Sequence, residues 1–245
     1  MSRKLKLAGI DLAWQGESNP SAIAVGTLDG NKLELEEVIP AITGLSQIFD
    51  CLHGMDNLTG LAIDASLIIN NKHGKRACEL ELSKVYSSRW ASCHATNQTL
   101  YPNAFSVRLA SLLESAGFEH LGMTKWQIEC YPHASIIECF GLARRLLYKK
   151  GSVSEKKNGQ KRLSSYISKL ADSPSLPLSI PEHLGKFFAS EEIEKLKGQA
   201  LKSNEDSLDA VMCLYTAGLY AVKAEGIAFG NSKDGYIWVP QGKCI

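Results

Sequence analysis

The sequence predicts an α/β fold, a mixed five-stranded sheet of order 3-2-1-4-5 with helices on both faces. Three observations predict it. Residues 4–38 alternate apolar and polar side chains in runs broken by an Asp-Gly turn. Residues 58–69 are apolar without alternation, as strands covered on both faces are. The remaining apolar residues recur at helical spacing.

Residues 4–14 (KLKLAGIDLAW) read as a first strand ending near Asp11, and 21–28 (SAIAVGTL) as a second. Asp29-Gly30-Asn31 supplies the positive φ that a hairpin turn needs, and 32–38 (KLELEEV) forms a third, more exposed strand. Leu45, Ile48, Phe49 and Leu52 share one face of a helix over 42–53. Strand four (LTGLAIDASLII) follows at 58–69. Residues 70–100 are polar and irregular with one short helix near 76–84, a long connection of the kind that carries function. A helix over 102–117 presents Phe105, Leu109, Leu112 and Leu113, and WQIECYP at 126–132 is the fifth strand, stopped by Pro132. Helical spacing covers 133–147, 148–162 is polar and basic, and helical patterns resume to about 170. Pro174, Pro177 and Pro181 mark a loop, short helices occupy 183–200, and 204–225 is the clearest helix. Three antiparallel strands followed by βα units return the later strands beside the first one. That layout suits the ribonuclease H-like fold and also the actin-like ATPase fold. The reading is one domain over 1–245, with insertions around 70–100 and 144–200.

Composition narrows the function classes. The chain has 245 residues, 27 Lys and Arg against 26 Asp and Glu, and a formal charge of +1, so any polyanion site is a local patch. The longest mostly apolar run, Ala210 to Val222, is 13 residues and too short to span a bilayer. The start is basic (Arg3, Lys4, Lys6), but Asp11 interrupts a signal-peptide core. A cytoplasmic protein with no membrane partner is expected. The seven cysteines form no tight pair, which points to reduced thiols rather than disulfides or zinc.

Five acidic residues converge in this layout. Asp11 and Asp64 end strands one and four, which are parallel neighbours. Glu129 lies on strand five, and Asp206 and Asp209, three apart, share a face at the start of the last helix. Carboxylates gathered this closely repel one another without a cation. Phosphodiester cleavage explains the gathering: two Mg²⁺ or Mn²⁺ ions about 4 Å apart activate a water and stabilise the leaving oxygen. Each residue also has a local reading. Asp11 suits a turn, Asp64 an N-cap, Glu129 an ion pair, and Asp206 and Asp209 the first turn of a helix.

GIDLAW at 9–14, LAIDASL at 61–67, RACELEL at 76–82, YP at 101–102, ECYPH at 129–133, YK at 148–149 and EDSLDAVMC at 205–213 follow in an order and spacing that resembles the uncharacterised domain family 429. That family is described as predicted nucleases of ribonuclease H-like fold. The resemblance runs from about residue 5 to residue 240, and the closing Asp206-x-x-Asp209 is similar to that of Holliday-junction resolvases in the same superfamily. It implies metal-dependent hydrolysis of DNA or RNA with Mg²⁺ or Mn²⁺. By position, Asp11 would bridge the metals, Asp64 and Asp209 would complete their shells, and Asp206 would be the second-choice helix ligand. Glu129 matches the family's acidic strand position. Ser66 departs from the pattern, standing where Pro is expected after AIDA.

Residues 144–162 carry eight Lys or Arg and one Glu, a local +7. A basic loop beside an acidic site suits a phosphate backbone, and Arg144, Arg145, Lys149 and Lys150 are its candidate contacts; a solvated loop is the alternative. Arg76, with Glu79 and Glu81, is a further candidate for phosphate binding or for orienting ligands. Tyr148 suits a buried anchor or base stacking, and Trp14 a cleft wall or the core. His94 and His133 are candidates for proton transfer, and Cys213 for a small buried residue. Two other functions fit the same layout: an actin-like nucleotide-binding phosphotransferase, with only Gly26 and Gly30 to offer a phosphate loop, and a non-catalytic nucleic-acid-binding module. A junction cutter would be a homodimer, for which no interface signature stands out.

Overall fold

The computed structural model describes residues 4–14 and 18–245, so Arg3 lies outside the described residues. β1 (Leu5–Asp11) pairs antiparallel with β2 (Ser21–Asp29), and β2 with β3 (Lys32–Ile42). Gly30 turns the second hairpin at φ +62°, a conformation open to glycine at no steric cost. α1 (Leu45–His53) leads to β4 (Leu58–Asp64), parallel to β1 on its other side. α2 (Ala77–Tyr86) and α3 (Phe105–Ser115) precede β5 (Glu119–His120) and β6 (Trp126–Glu129), and β6 lies parallel to β4. α4 (Pro132–Cys139) and α5 (Val153–Lys169) lead to β7 (Leu178–Ser179), which adds to β3. α6 (Ser190–Lys195), the long α7 (Gly198–Ala221) and a separate hairpin, β8 (Gly226–Asn231) with β9 (Gly235–Pro240), complete the chain.

The sheet therefore has seven strands, ordered β5-β6-β4-β1-β2-β3-β7, and not five. The five expected strands lie in its middle. Two-residue strands extend both edges, and such strands are too short for alternation to register.

Alternation along β1 and β4 assigns the two faces. Leu7, Ala62, Trp126 and Ile128 pack against α7, α4 and α5. Ala8, Ile10, Leu61 and Ile63 pack against α1 and α3 through Ile48, Leu52, Leu109 and Leu113. α7 is buried without a break from Asn204 to Leu219, because the sheet covers one side and α4, α5 and β9 cover others. It crosses β1 at Gly9, where a Cβ would lie 1.9 Å from the Leu214 nitrogen and 2.3 Å from the Ala210 oxygen. A side chain at that position would force the helix off the sheet.

Three further expectations change. The helix expected over 133–147 ends at Cys139, with Gly141 at φ +57°. The basic stretch is not one loop, because Ser152 and Glu155 form a capping box that starts α5. Lys157 and Lys161 of that helix pair with Glu194 on α6, so its basic residues are partly spent within the fold. α7 begins at Gly198, which places Asp206 and Asp209 well inside the helix and removes the first-turn explanation for them.

Candidate active site

β1 is where the sheet changes direction. The chain runs from it to β2 and β3 on one side and returns to β4 on the other. Open α/β sheets bind ligands outside the carboxyl ends of their strands at such a point. Asp11 and Asp64 are register partners there, at the last residues of two parallel strands. Asp11 has the parity of Leu7 and Gly9, and Asp64 that of Gly60 and Ala62, so both face α7.

These two residues lie at the inner end of a cavity of about 930 Å³ that Asp206, Glu205, Lys202, Lys149, Arg145 and Trp90 also line. Burial holds the Asp11 carboxyl well above the usual carboxylate range; Lys149 opposes this, and Asp209, Asp64 and Asp206 reinforce it. Burial pushes Asp64 up to about 7, again against Lys149 and with Asp209. Both carboxyls are thus held toward the protonated form by burial first and by their acidic neighbours second.

Asp206 and Asp209 are not equivalent. Asp206 lines the cavity and is ion-paired to Lys202, one turn earlier on α7. Asp209 is fully buried behind it. Its Oδ1 accepts a 2.6 Å hydrogen bond from the Tyr148 hydroxyl. Its Oδ2 stands 2.5 Å from Lys149 Nζ, an ion pair without a directed hydrogen bond. The order of preference that the resemblance implied, Asp209 before Asp206, is the reverse of their access to the cavity. Burial opposes the charge on Lys149, but Asp209, Tyr148, Asp11 and Asp64 together hold its pKa well above the usual lysine value. Lys149 is therefore the cation among the carboxylates and is not a free substrate contact.

Glu129 has the opposite parity; it lines the same cavity and its charge acts on Asp64, but its carboxylate is tied to Arg76. Its oxygens accept from Arg76 Nη1 at 2.9 Å and Nη2 at 2.5 Å and from the Leu67 amide at 2.9 Å. Arg76 is 3% exposed and also donates from Nε to Glu79 at 2.8 Å and from Nη1 to the Ile68 carbonyl at 3.0 Å. Its guanidinium is consumed, so the fork that suits a phosphate instead ties α2 to the loop behind Asp64. Ser66 belongs to the same loop: its hydroxyl donates to Thr96 at 3.1 Å, and its carbonyl accepts from Ser106 at 2.6 Å. A Pro there would lack this hydroxyl link.

Of the other basic candidates, Arg145 and Lys150 line the cavity. Arg144 is exposed, with its guanidinium 4.3 Å from the Trp90 ring centroid. His94 and His133 line the cavity, and Trp14 stands at its edge and donates to the Asp64 carbonyl at 3.3 Å. Cys213 is buried, its thiol 3.5 Å from that of Cys130, and all seven cysteines are free. The sequence reading missed Lys202 and Trp90. The Lys202-x-x-x-Asp206 spacing carried a helical signal for the first, whereas nothing local marks Trp90.

Among the described residues, no group of three or more His, Cys, Asp or Glu side chains is placed to hold a metal ion. A dedicated protein cage is therefore not what these residues form. Mg²⁺ does not need one, since one or two carboxylates with water and substrate phosphate usually hold it. Asp11 and Asp64 are hard oxygen donors whose proton affinity is raised by burial and by neighbouring carboxylates, and in kind they fit such an ion.

No helix among the described residues is long and apolar enough to cross a membrane. No curated protein and no solved structure matches the chain. A family model does match, over residues 9–229, and the chain belongs to that family, described as a protein of unknown function (DUF429).

Proposed function

We propose that this protein has the ribonuclease H-like architecture and is a divalent-metal-dependent nuclease that hydrolyses phosphodiester bonds of DNA or RNA. The observation that carries the reading is the register pairing of Asp11 with Asp64 at the floor of the cavity. Two adjacent carboxylates with raised proton affinity destabilise the fold unless a cation or a proton relieves them. Such a pair suits a site selected for binding.

Asp11 and Asp64 would hold Mg²⁺ or Mn²⁺, with Asp206 the next carboxylate along the cavity. Bound there, the metal supplies an activated water and stabilises charge on phosphate. The chain's own groups have separate tasks. Lys149 pairs with Asp209 and partly balances Asp11 and Asp64. Arg145 and Lys150 place positive charge on the cavity wall, where a phosphate backbone would run. Arg76 and Glu129 fix the loop that follows Asp64 and act as positioning residues. The actin-like alternative loses its phosphate loop. Gly26 lies against Glu34 and Leu214 side by side with β3, and Gly30 turns the hairpin at the end of the sheet away from Asp11.

Purified protein incubated with single-stranded, duplex and branched DNA and RNA tests this reading. The expected result is cleavage in Mn²⁺ or Mg²⁺ that EDTA stops and that Asp11→Asn lowers at least about a hundredfold. Cleavage that persists in EDTA or in Asp11→Asn contradicts it. Binding of nucleic acid without cleavage would point to a non-catalytic module.

A further inference from the structure

We propose that the aromatic and basic wall of this cavity binds an unpaired nucleotide of a single strand, its base stacked on Trp90 and its phosphate held by Arg145 and His133. The proposal rests on the phosphodiester reading and names the substrate class for it.

Tryptophan placement is the first support. Trp126 and Trp238 are buried at 3% and 6% exposure, whereas Trp14 and Trp90 are 36% and 50% exposed. Both exposed rings line the cavity that contains Asp11 and Asp64. An indole left in water beside charged groups is a poor use of apolar area unless something covers it.

Trp90 is also held in place. It closes a short 3₁₀ turn, Ser87–Arg89, in the left-handed region at φ 63° and ψ 22°, which residues with a Cβ adopt uncommonly. Its amide donates to the Ser87 carbonyl at 3.0 Å. The neighbouring segment is tied on by the Arg145 amide, which donates to the Arg89 carbonyl at 2.9 Å, and by Arg89 Nη2, which donates to the Leu142 carbonyl at 2.8 Å. Arg144 covers the ring at 4.3 Å but does not line the cavity. The indole is therefore backed by a cation and also lines the cavity. This is a stacking platform of the kind that unpaired bases use. A base inside a duplex is already stacked on its neighbours and cannot reach it.

Two unpartnered polar atoms supply the phosphate end. Arg145 Nε and His133 Nδ1 are buried atoms without a hydrogen-bond partner, and both residues line the cavity. Leaving such groups unpaired costs stability. Burial disfavours a charged His133, and the positive charges of Lys149, Arg145 and Lys150 act on it in the same direction. Arg145 offers an N–H, as does His133 in the tautomer protonated at Nδ1, and an anion between them would meet both donors within a positive field. A phosphate attached to a base stacked on Trp90 satisfies both halves of the wall.

The test is binding in EDTA, which separates it from catalysis. A short single strand of DNA or RNA, the duplex of the same sequence and a nucleoside 5′-monophosphate are each titrated while tryptophan fluorescence and probe anisotropy are read. The expected result is quenching by the single strand, at least about tenfold tighter than the duplex or the monophosphate. Trp90→Ala should lose about tenfold in affinity and most of the quenching, and Trp90→Phe should retain most of the affinity. Arg145→Gln should weaken binding and reduce its salt dependence. Circular dichroism checks that each variant is folded, which the exposure of Trp90 favours. Equal affinity for duplex or monophosphate, wild-type affinity in Trp90→Ala, or no binding of any probe overturns the proposal. Single-strand binding without metal-dependent cleavage would overturn the nuclease reading and leave this one standing. Metal-dependent cleavage of single strands that Trp90→Ala does not alter would do the reverse.

Discussion

Asp209 shows what the buried part of the site demands. Its carboxylate is fully buried and depends on the Tyr148 hydroxyl and the Lys149 ammonium. Removing one member of a buried ion pair leaves the other charge uncompensated, typically at about 3–5 kcal/mol. Lys149→Met should therefore destabilise the protein by about that amount in urea unfolding, and adding Asp209→Asn should recover much of it. If Lys149→Met unfolds at the wild-type midpoint, the ammonium is not what balances Asp209. Arg76→Ala should behave likewise, since Glu79 and Glu129 would both lose their partner. Asp64 makes a prediction about pH. Its folded pKa is about 7 against an ordinary 3.8, so the folded state holds the proton that the unfolded chain releases. Stability from the protonated form is complete below about pH 4 and is lost as pH rises through about 7. Metal-free wild type should melt at progressively lower temperature between those values. Asp64→Asn should lack that share of the decline and be the more stable protein at pH 8, by a few kcal/mol at most. A wild-type melting temperature that is flat or rising over this interval contradicts the account.

At the scale of elements, the contact of α7 with β1 sets the position of the acidic residues. Gly9 allows the helix to lie on the strand with Ala210 and Leu214 against it. Gly9→Ala would place a methyl group inside the helix backbone, so a loss of several kcal/mol or failure to fold is expected, measured by thermal unfolding. Ser152→Ala, at the capping box of α5, should cost about 1 kcal/mol. The strands through Asp11 and Asp64 are legible because each has seven residues and a clear apolar pattern, and that through Trp126 because Pro132 stops the run after it. The edge strands β5 and β7 were not, since they arise from where tertiary packing brings the chain. Hairpin β8–β9 was overlooked although Asp234-Gly235 marks its turn. α7 starts six residues before the expected 204 because Gly198 to Ser207 hold only Ala200 and Leu201 as apolar residues, too few to show a helical period. Within the site, Asp11 and Asp64 could be placed side by side from strand order alone. The partners of Glu129 and Asp209 could not. Arg76 and Tyr148 reach them across 53 and 61 residues of sequence, and alternation does not say which face a four-residue strand shows to a distant loop.

At the scale of the molecule, a nearly neutral chain is divided by its fold into an acidic floor and a basic wall around one cavity. The floor is built on strand ends held by the core on both faces of the sheet. The wall comes from the segment between α4 and α5, fastened at Arg89 and at Asp209. This polarity is what a phosphodiester substrate with a bound cation would need, and it makes the affinity of the carboxylate pair for a divalent ion the central quantity. The direct measurement is titration calorimetry of Mn²⁺ into wild type and into the Asp11→Asn, Asp64→Asn double variant, with and without a short oligonucleotide. The account predicts saturable binding by wild type, tighter with the oligonucleotide present, and its loss in the double variant. Binding that the double variant retains, or no binding by wild type even with the oligonucleotide, would contradict it.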